Sequence, residues 1–228
     1  MLPLRDNIPS RSTPVVNYAL IAANAAVFAH ELALGPRLAS FVNEFGLVPL
    51  RYASPGLVHR LPWDRLAAPF LVSMFMHGGW LHILSNMWCL WIFGDNVEDA
   101  MGHFRYLVFY LLVGLAAAGA QLWASWGSPY PTLGASGAIA GVMGAYIVLY
   151  PSARVLTLVP IFFFLKTVEI PASIFLGLWF WSQLYSGAMA LSNTGRLGGI
   201  AWWAHIGGFL AGIVLLGPFL AKAPRRRS

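Results

Sequence analysis

Long apolar stretches alternate along this chain with short polar interruptions, and the stretches set the first expectation for the fold. Six of them read as membrane-crossing helices: residues 16–34, 80–93, 104–123, 135–150, 170–191 and 201–220. A helix crosses a bilayer with about 20 apolar residues, within a range of about 17–25. The second run, bounded by Asp95, and the fourth, stopped by Pro151, are shorter. Short spans fit a central position among other helices, or a locally thinned bilayer. Residues 35–79 make a long first loop with Tyr52, Trp63, Phe70 and Phe75 among Arg and Pro. Such a loop is expected to lie partly in the membrane interface, with a small extramembrane cap as the alternative. Residues 192–199 read as a polar loop that would cap the last two spans.

Composition narrows the class. The chain is 58% hydrophobic and only 10% charged, whereas soluble domains carry about 25% charged residues. The expectation is an all-α membrane protein, a six-transmembrane-helix bundle in one domain. Residues 1–15 form an N-terminal segment, 16–221 the helical domain and 222–228 a basic tail. Six spans place both termini on one side. With that side cytoplasmic, Arg5, Arg11, Arg105, Arg154, Lys166, Lys222, Arg225, Arg226 and Arg227 lie inside. Outside lie Arg37, Arg51, Arg60, Arg65 and Arg196, four of them in the long loop, where charge has less weight. Orientation thus accounts for the positive balance, and no nucleic-acid partner is needed. The single Cys89 excludes an intrachain disulfide. No small-residue cleavage site follows the first run, so it reads as a retained helix.

Polar residues inside these runs carry the candidate chemistry, because a polar side chain in hydrocarbon is costly. His82 lies in the first turn of the second run, Ser136 opens the fourth, and His205 is in the first turns of the sixth. Asn86 follows His82 by one helical turn, on the same face. With the termini inside, these three spans run in the same direction, so all four residues reach the extracytoplasmic end at similar depth. Gly137, Gly141 and Gly144 share one face of the fourth span, and Gly208 and Gly212 share a face with His205 on the sixth. Small residues at this spacing let helices approach closely, which would bring Ser136 beside His205. A serine hydroxyl becomes a useful nucleophile when a base takes its proton. The Ser136 backbone N–H, Asn86 and His82 are suitable donors to an oxyanion. Each residue alone reads as ordinary helix packing; their coincidence on three parallel spans is what points to chemistry.

Other chemistries fit less well. An intramembrane aspartyl protease needs two carboxylates within spans, whereas Asp95, Glu98 and Asp99 cluster at the opposite, inner end of the second span and Glu169 is also inside. No HExxH occurs. His77 and His82 are five apart, off a common helix face, so no metal and no cofactor is expected. No carboxylate is evident near His205, which favours a Ser–His dyad over a triad.

Three segments resemble the rhomboid family of intramembrane serine proteases: His77-Gly-Gly-Trp-Leu-His82-Ile-Leu-Ser-Asn86, Gly134-Ala-Ser136-Gly137, and Ala204-His205-Ile-Gly-Gly208-Phe-Leu-Ala-Gly212. The resemblance covers roughly residues 15–220. It implies Ser136 as nucleophile, His205 as general base, and His82 and Asn86 with the Ser136 N–H as the oxyanion site. It also implies packing roles for Gly137, Gly141, Gly208 and Gly212, and structural roles for His77 and Glu98. The family's Trp-Arg pair in the first loop is not intact; Trp63-Asp64-Arg65 is the nearest segment. The implied reaction is hydrolysis of a peptide bond in or beside a substrate's transmembrane segment. Access would be lateral, between the second and fifth spans, with Phe175, Trp179 and Phe180 as gate residues or as lipid-facing aromatics. The implied partners are transmembrane protein substrates and the lipid bilayer, with association in a larger membrane complex left open. A prokaryotic plasma membrane is the expected location, an organellar membrane the alternative. The competing function is a catalytically silent relative that binds transmembrane segments or acts as a subunit of a membrane complex.

Overall fold

The computed structural model describes residues 1–161, 164–192 and 200–220. In chain order the elements are β1 (Leu2–Arg5), α1 (Val15–Ala33), then four short helices of the first loop: α2 (Leu38–Phe45), α3 (Pro49–Ala53), α4 (Pro55–Val58) and α5 (Trp63–Val72). They are followed by α6 (Trp80–Met101), α7 (His103–Ala124), α8 (Ser136–Leu149), β2 (Arg154–Ile161), β3 (Phe164–Pro171), α9 (Ala172–Ser192) and α10 (Trp202–Phe219).

A helix stands on each of the six apolar runs. By length and hydropathy α1, α7, α9 and α10 suffice to cross a membrane alone. The α6 helix does so only as a bent pair with Trp63–Phe75, at 78°. At 14 residues, α8 is about 21 Å long at 1.5 Å per residue, short of a bilayer core. Four to five spanning helices make this a multi-pass membrane protein. The α10 helix packs most extensively on α8 and α7, around a core of Phe93, Tyr106, Phe109, Tyr110, Val113, Val142, Tyr146 and Leu176.

The helix on the second run extends beyond the apolar residues. Helix continues past residue 93 to Met101, because the acids beyond it have partners in the fold. The Glu98 carboxylate is fully buried and accepts the N–H groups of Val16, at 3.0 Å, and Asn17, at 2.7 Å. Those N–H groups open α1 and have no acceptor within it, so Glu98 is the cap that α1 lacks. Its other contact is the His103 ring. Asp99 accepts the N–H groups of Arg11 and Ser12 and the Ser12 hydroxyl. Asp95 accepts the Ser10 hydroxyl. Gly102, with φ +81°, then turns the chain into α7 in a conformation that favours glycine.

The three-stranded antiparallel sheet, in the order β1-β2-β3, was not expected from the apolar periodicity. Leu2 pairs with Leu158, and Thr157 with both Pro3 and Val168. The N-terminal residues are bound to the helices as well. Trp88 Nε1 donates to the Pro3 carbonyl at 2.6 Å, and Asp6 accepts from Tyr146 and from Asn96. Burial pushes the Asp6 carboxyl above its ordinary range, against the Tyr146 hydrogen bond that lowers it.

In the first loop, Arg51 donates to the carbonyls of Asn43 and Glu44, covering the open C-terminal end of α2. Arg65 pairs with Glu44, while Trp63 is exposed. Leu47 exchanges two backbone hydrogen bonds with Thr132, tying this loop to the segment before α8.

Candidate active site

Packing of α8 on α10 builds the site. A Cβ on Gly208 would overlap the Gly137 carbonyl oxygen, one on Gly212 that of Gly141, and one on Gly144 that of Phe209. A Cβ on Gly137 would meet the Ala117 methyl at 2.6 Å, and one on Gly141 would meet Val113 at 2.6 Å. The two backbones therefore touch, with α7 filling the flank. This contact sets the first residue of α8 against the first turn of α10. Ser136 Oγ and His205 Nε2 stand 2.8 Å apart, both half-buried.

Each partner is fixed by its surroundings. Ala135 precedes the helix, and the first intrahelical bond of α8 runs from Ile139 N–H to its carbonyl. The N–H groups of Ser136, Gly137 and Ala138 thus have no intrahelical acceptor, and the helix start favours negative charge there. Gly134 N–H donates to the Ser73 carbonyl at 2.8 Å, anchoring the approach to α8. At the start of α10, Gln121 Oε1 accepts the Ala204 N–H at 3.2 Å. Trp179 and Trp202 flank the His205 ring, with centroids at 5.9 and 6.3 Å.

His82 reaches the same place from α6. A Cβ on Gly134 would lie 2.8 Å from His82 Nε2 and 3.7 Å from Ser136 Oγ. Glycine is required there by its φ of +125° as well as by this crowding. His82 Nδ1 accepts the Gly78 N–H at 3.3 Å, so in the neutral ring Nε2 carries the proton. That donor faces the Ser136 side. The His77 ring packs on His82 at 5.1 Å, and its backbone N–H is held by the buried Glu31 carboxylate at 3.0 Å.

Asn86 is buried one turn deeper on the face of His82, and its amide nitrogen has no partner among the described residues. A buried donor left unpaired costs about 1–3 kcal/mol. Asn24 Oδ1, His77 Nε2, Tyr110 OH and Trp203 Nε1 are also buried without a partner among the described residues; of the five, Asn86 is the one that follows His82 by a turn on the same helix face. Among the described residues no three His, Cys, Asp or Glu side chains converge to hold a metal.

The expected gate residues divide. Phe175 is buried against Phe93 of α6, at 6.4 Å. Phe180 stacks on Phe209 of α10 at 4.5 Å, and Trp179 also lies against Phe209. The last two therefore face α10. The polar loop 193–199 and the basic tail lie outside the described residues.

Two participants escape the sequence reading. Gln183 Oε1 is 2.7 Å from His205 Nδ1, on the side of the ring away from Ser136. Glu31 holds the segment that carries His77. Their only signal was position: a polar residue inside an otherwise apolar run.

Comparison with known proteins gives the family. The rhomboid domain family model matches residues 64–222. The rhomboid protease GluP of Bacillus subtilis is 33% identical over 175 residues, covering 76% of this chain and 30% of that protein. The mitochondrial rhomboid protein 1 of Saccharomyces cerevisiae is 28% identical over 217 residues, covering 92% of this chain and 54% of that protein. The human mitochondrial presenilin-associated rhomboid-like protein is 29% identical over 157 residues, covering 65% of this chain and 37% of that protein. The chain thus spans about half or less of the length of these relatives. By the match of the rhomboid domain over residues 64–222, the chain belongs to the rhomboid family.

Proposed function

We propose that this protein is an intramembrane serine endopeptidase acting on peptide bonds in or next to transmembrane segments. The observation that carries the reading is the 2.8 Å contact between Ser136 Oγ and His205 Nε2, set beside a buried, unpaired Asn86 donor. One relative, GluP, is a protease by name.

In this reading His205 Nε2 takes the Ser136 proton as Oγ attacks the scissile carbonyl. Negative charge develops on the carbonyl oxygen. The Ser136 N–H, Asn86 Nδ2 and His82 Nε2–H donate to it, a kind of stabilisation that typically supplies several kcal/mol. The His205 imidazolium then returns its proton to the leaving amine, which frees an acyl-enzyme. Water, deprotonated by the same nitrogen, releases the carboxylic acid and restores Ser136. A transmembrane substrate hides its carbonyls in its own helix, so local unwinding near helix breakers favours cleavage. Six spans, cytoplasmic termini and a site toward the extracytoplasmic face of a plasma membrane complete the proposal. The basic-residue asymmetry supports that orientation.

The test is fluorophosphonate labelling of the detergent-purified protein, with Ser136→Ala and His205→Ala as controls, followed by cleavage of a transmembrane substrate. Labelling of the wild type that vanishes in both variants is expected. An unlabelled, well-folded wild type beside a reactive control hydrolase would sink the reading.

A further inference from the structure

We infer that Gln183 is the third member of the site, a positioning residue that fixes which nitrogen of His205 carries the proton. The inference deepens the protease reading and rests on it for its catalytic consequence.

A neutral imidazole has one N–H and one lone pair. His205 can act as a base toward Ser136 only with the lone pair on Nε2 and the proton on Nδ1. The Nδ1 partner therefore decides whether the ring is armed. Here that partner is Gln183 Oε1, at 2.7 Å. Gln183 is 6% exposed, so water offers little competition. An amide presents an acceptor at one atom and donors at the other, and a flipped Gln183 would favour the wrong tautomer.

The amide orientation is itself determined. Gln183 Nε2 donates to Ser182 Oγ at 2.9 Å and to the Trp179 carbonyl at 3.3 Å. The Trp179 carbonyl can only accept. Ser182 Oγ spends its own proton on that carbonyl, at 2.6 Å, and is left as an acceptor toward Gln183. Nitrogen is therefore held on the Ser182 side and oxygen on the His205 side. The order of donation runs from Ser136 Oγ–H to His205 Nε2, from His205 Nδ1–H to Gln183 Oε1, from Gln183 NH2 to Ser182 Oγ, and from Ser182 Oγ–H to the Trp179 carbonyl.

The element pairing adds a consequence. Trp179, Gln183 and Gly187 recur at one-turn intervals on α9, all toward α10; a Cβ on Gly187 would meet Ile206 Cδ1 at 3.1 Å. The tautomer is thus set only while α9 lies against α10. A shift of α9 away from α10 disarms the base without touching Ser136 or His205.

The experiment compares Gln183→Leu, Gln183→Glu and Ser182→Ala with wild type in two readouts. The first is nitrogen-15 NMR of histidine-labelled protein, with the His205 signal assigned by its loss in His205→Ala. The second is steady-state cleavage of a transmembrane substrate, with thermal unfolding as the check on folding. Wild type should show His205 protonated at Nδ1. Gln183→Leu should shift the proton toward Nε2 and lower kcat by at least about tenfold at unchanged KM, well short of the roughly 10⁴-fold loss known for a wrong tautomer in a soluble triad. Gln183→Glu keeps an acceptor at the same position and should restore both readouts. Ser182→Ala frees the amide to flip and should fall between.

A His205 tautomer and a kcat in Gln183→Leu equal to wild type would overturn the inference, as would a loss that Gln183→Glu fails to rescue in folded protein. A Gln183-dependent tautomer in a protein that fluorophosphonate never labels would leave the positioning role standing and remove the protease reading instead.

Discussion

One helix, α6, carries buried polar residues at both ends, and the two ends treat them in opposite ways. At the Asp95 end the acids are answered. Glu98 takes two backbone N–H groups and faces His103, while Asp99 and Asp95 take hydroxyls and amides of the N-terminal segment. At the His82 end Asn86 keeps an unpaired donor, and a serine hydroxyl faces a lone pair. A polar cluster that satisfies itself holds a fold together. One that keeps a buried donor beside a serine–histidine pair is, in the protease reading, arranged for something that arrives later.

The comparison can be broken deliberately. The largest effect is expected from Gly208→Leu, which drives a side chain into the Gly137 carbonyl and separates the helices that define the site. Overpacking against side chains costs about 1–3 kcal/mol, and a backbone oxygen cannot rotate aside. Loss of both activity and the folded form in detergent is expected, and wild-type cleavage by Gly208→Leu would refute the close α8–α10 approach. Next is Asn86→Ala, which should lower kcat by about 10²–10³-fold while leaving thermal stability unchanged or raised, since an unpaired buried donor disappears. A destabilised Asn86→Ala would instead class Asn86 with the self-satisfied end.

Glu98→Ala should do the reverse. It strips the cap from α1 and is expected to cost about 2–3 kcal/mol of stability, read by thermal unfolding, with kcat per folded molecule nearly unchanged. The smallest effect is at Asp6. Its carboxyl is raised above its ordinary value of 3.8 by burial, so its contribution is full at low pH and is lost as pH rises through the raised value. Asp6→Asn should therefore flatten the pH dependence of the unfolding midpoint above about pH 4, by less than about 1 kcal/mol. A wild type whose midpoint rises across that window would contradict the direction.

Legibility followed periodicity and failed where polarity gave no rhythm. The helices were readable because their apolar runs are long. The glycine faces were readable because Gly208 and Gly212 recur at one-turn spacing beside His205. Strand β2 was not, since Val155 and Thr157 turn inward while Leu156 and Leu158, only partly buried, face the other way; apolar residues on both faces erase the two-residue alternation that marks a half-buried strand. Helix α6 outruns its apolar run because three acids beyond it find partners in the N-terminal segment and the start of α1, which the apolar pattern does not show. Gln183 was passed over because an amide amid aromatics reads as packing, and its meaning depends on a ring 22 positions later.

Strand β1 has a consequence for how the protein is made. Leu2 pairs with Leu158, so this strand waits for a partner until α8 and its serine have been synthesised. Pairing at such separation is slow to form. Strand β1 can dock only once β2 exists, so its docking reports that the segment following the serine helix has been completed in register. A bulky fusion placed before Leu2 would be expected to delay maturation of newly made protein more than it disturbs protein already assembled, a difference that pulse-chase protease protection would resolve.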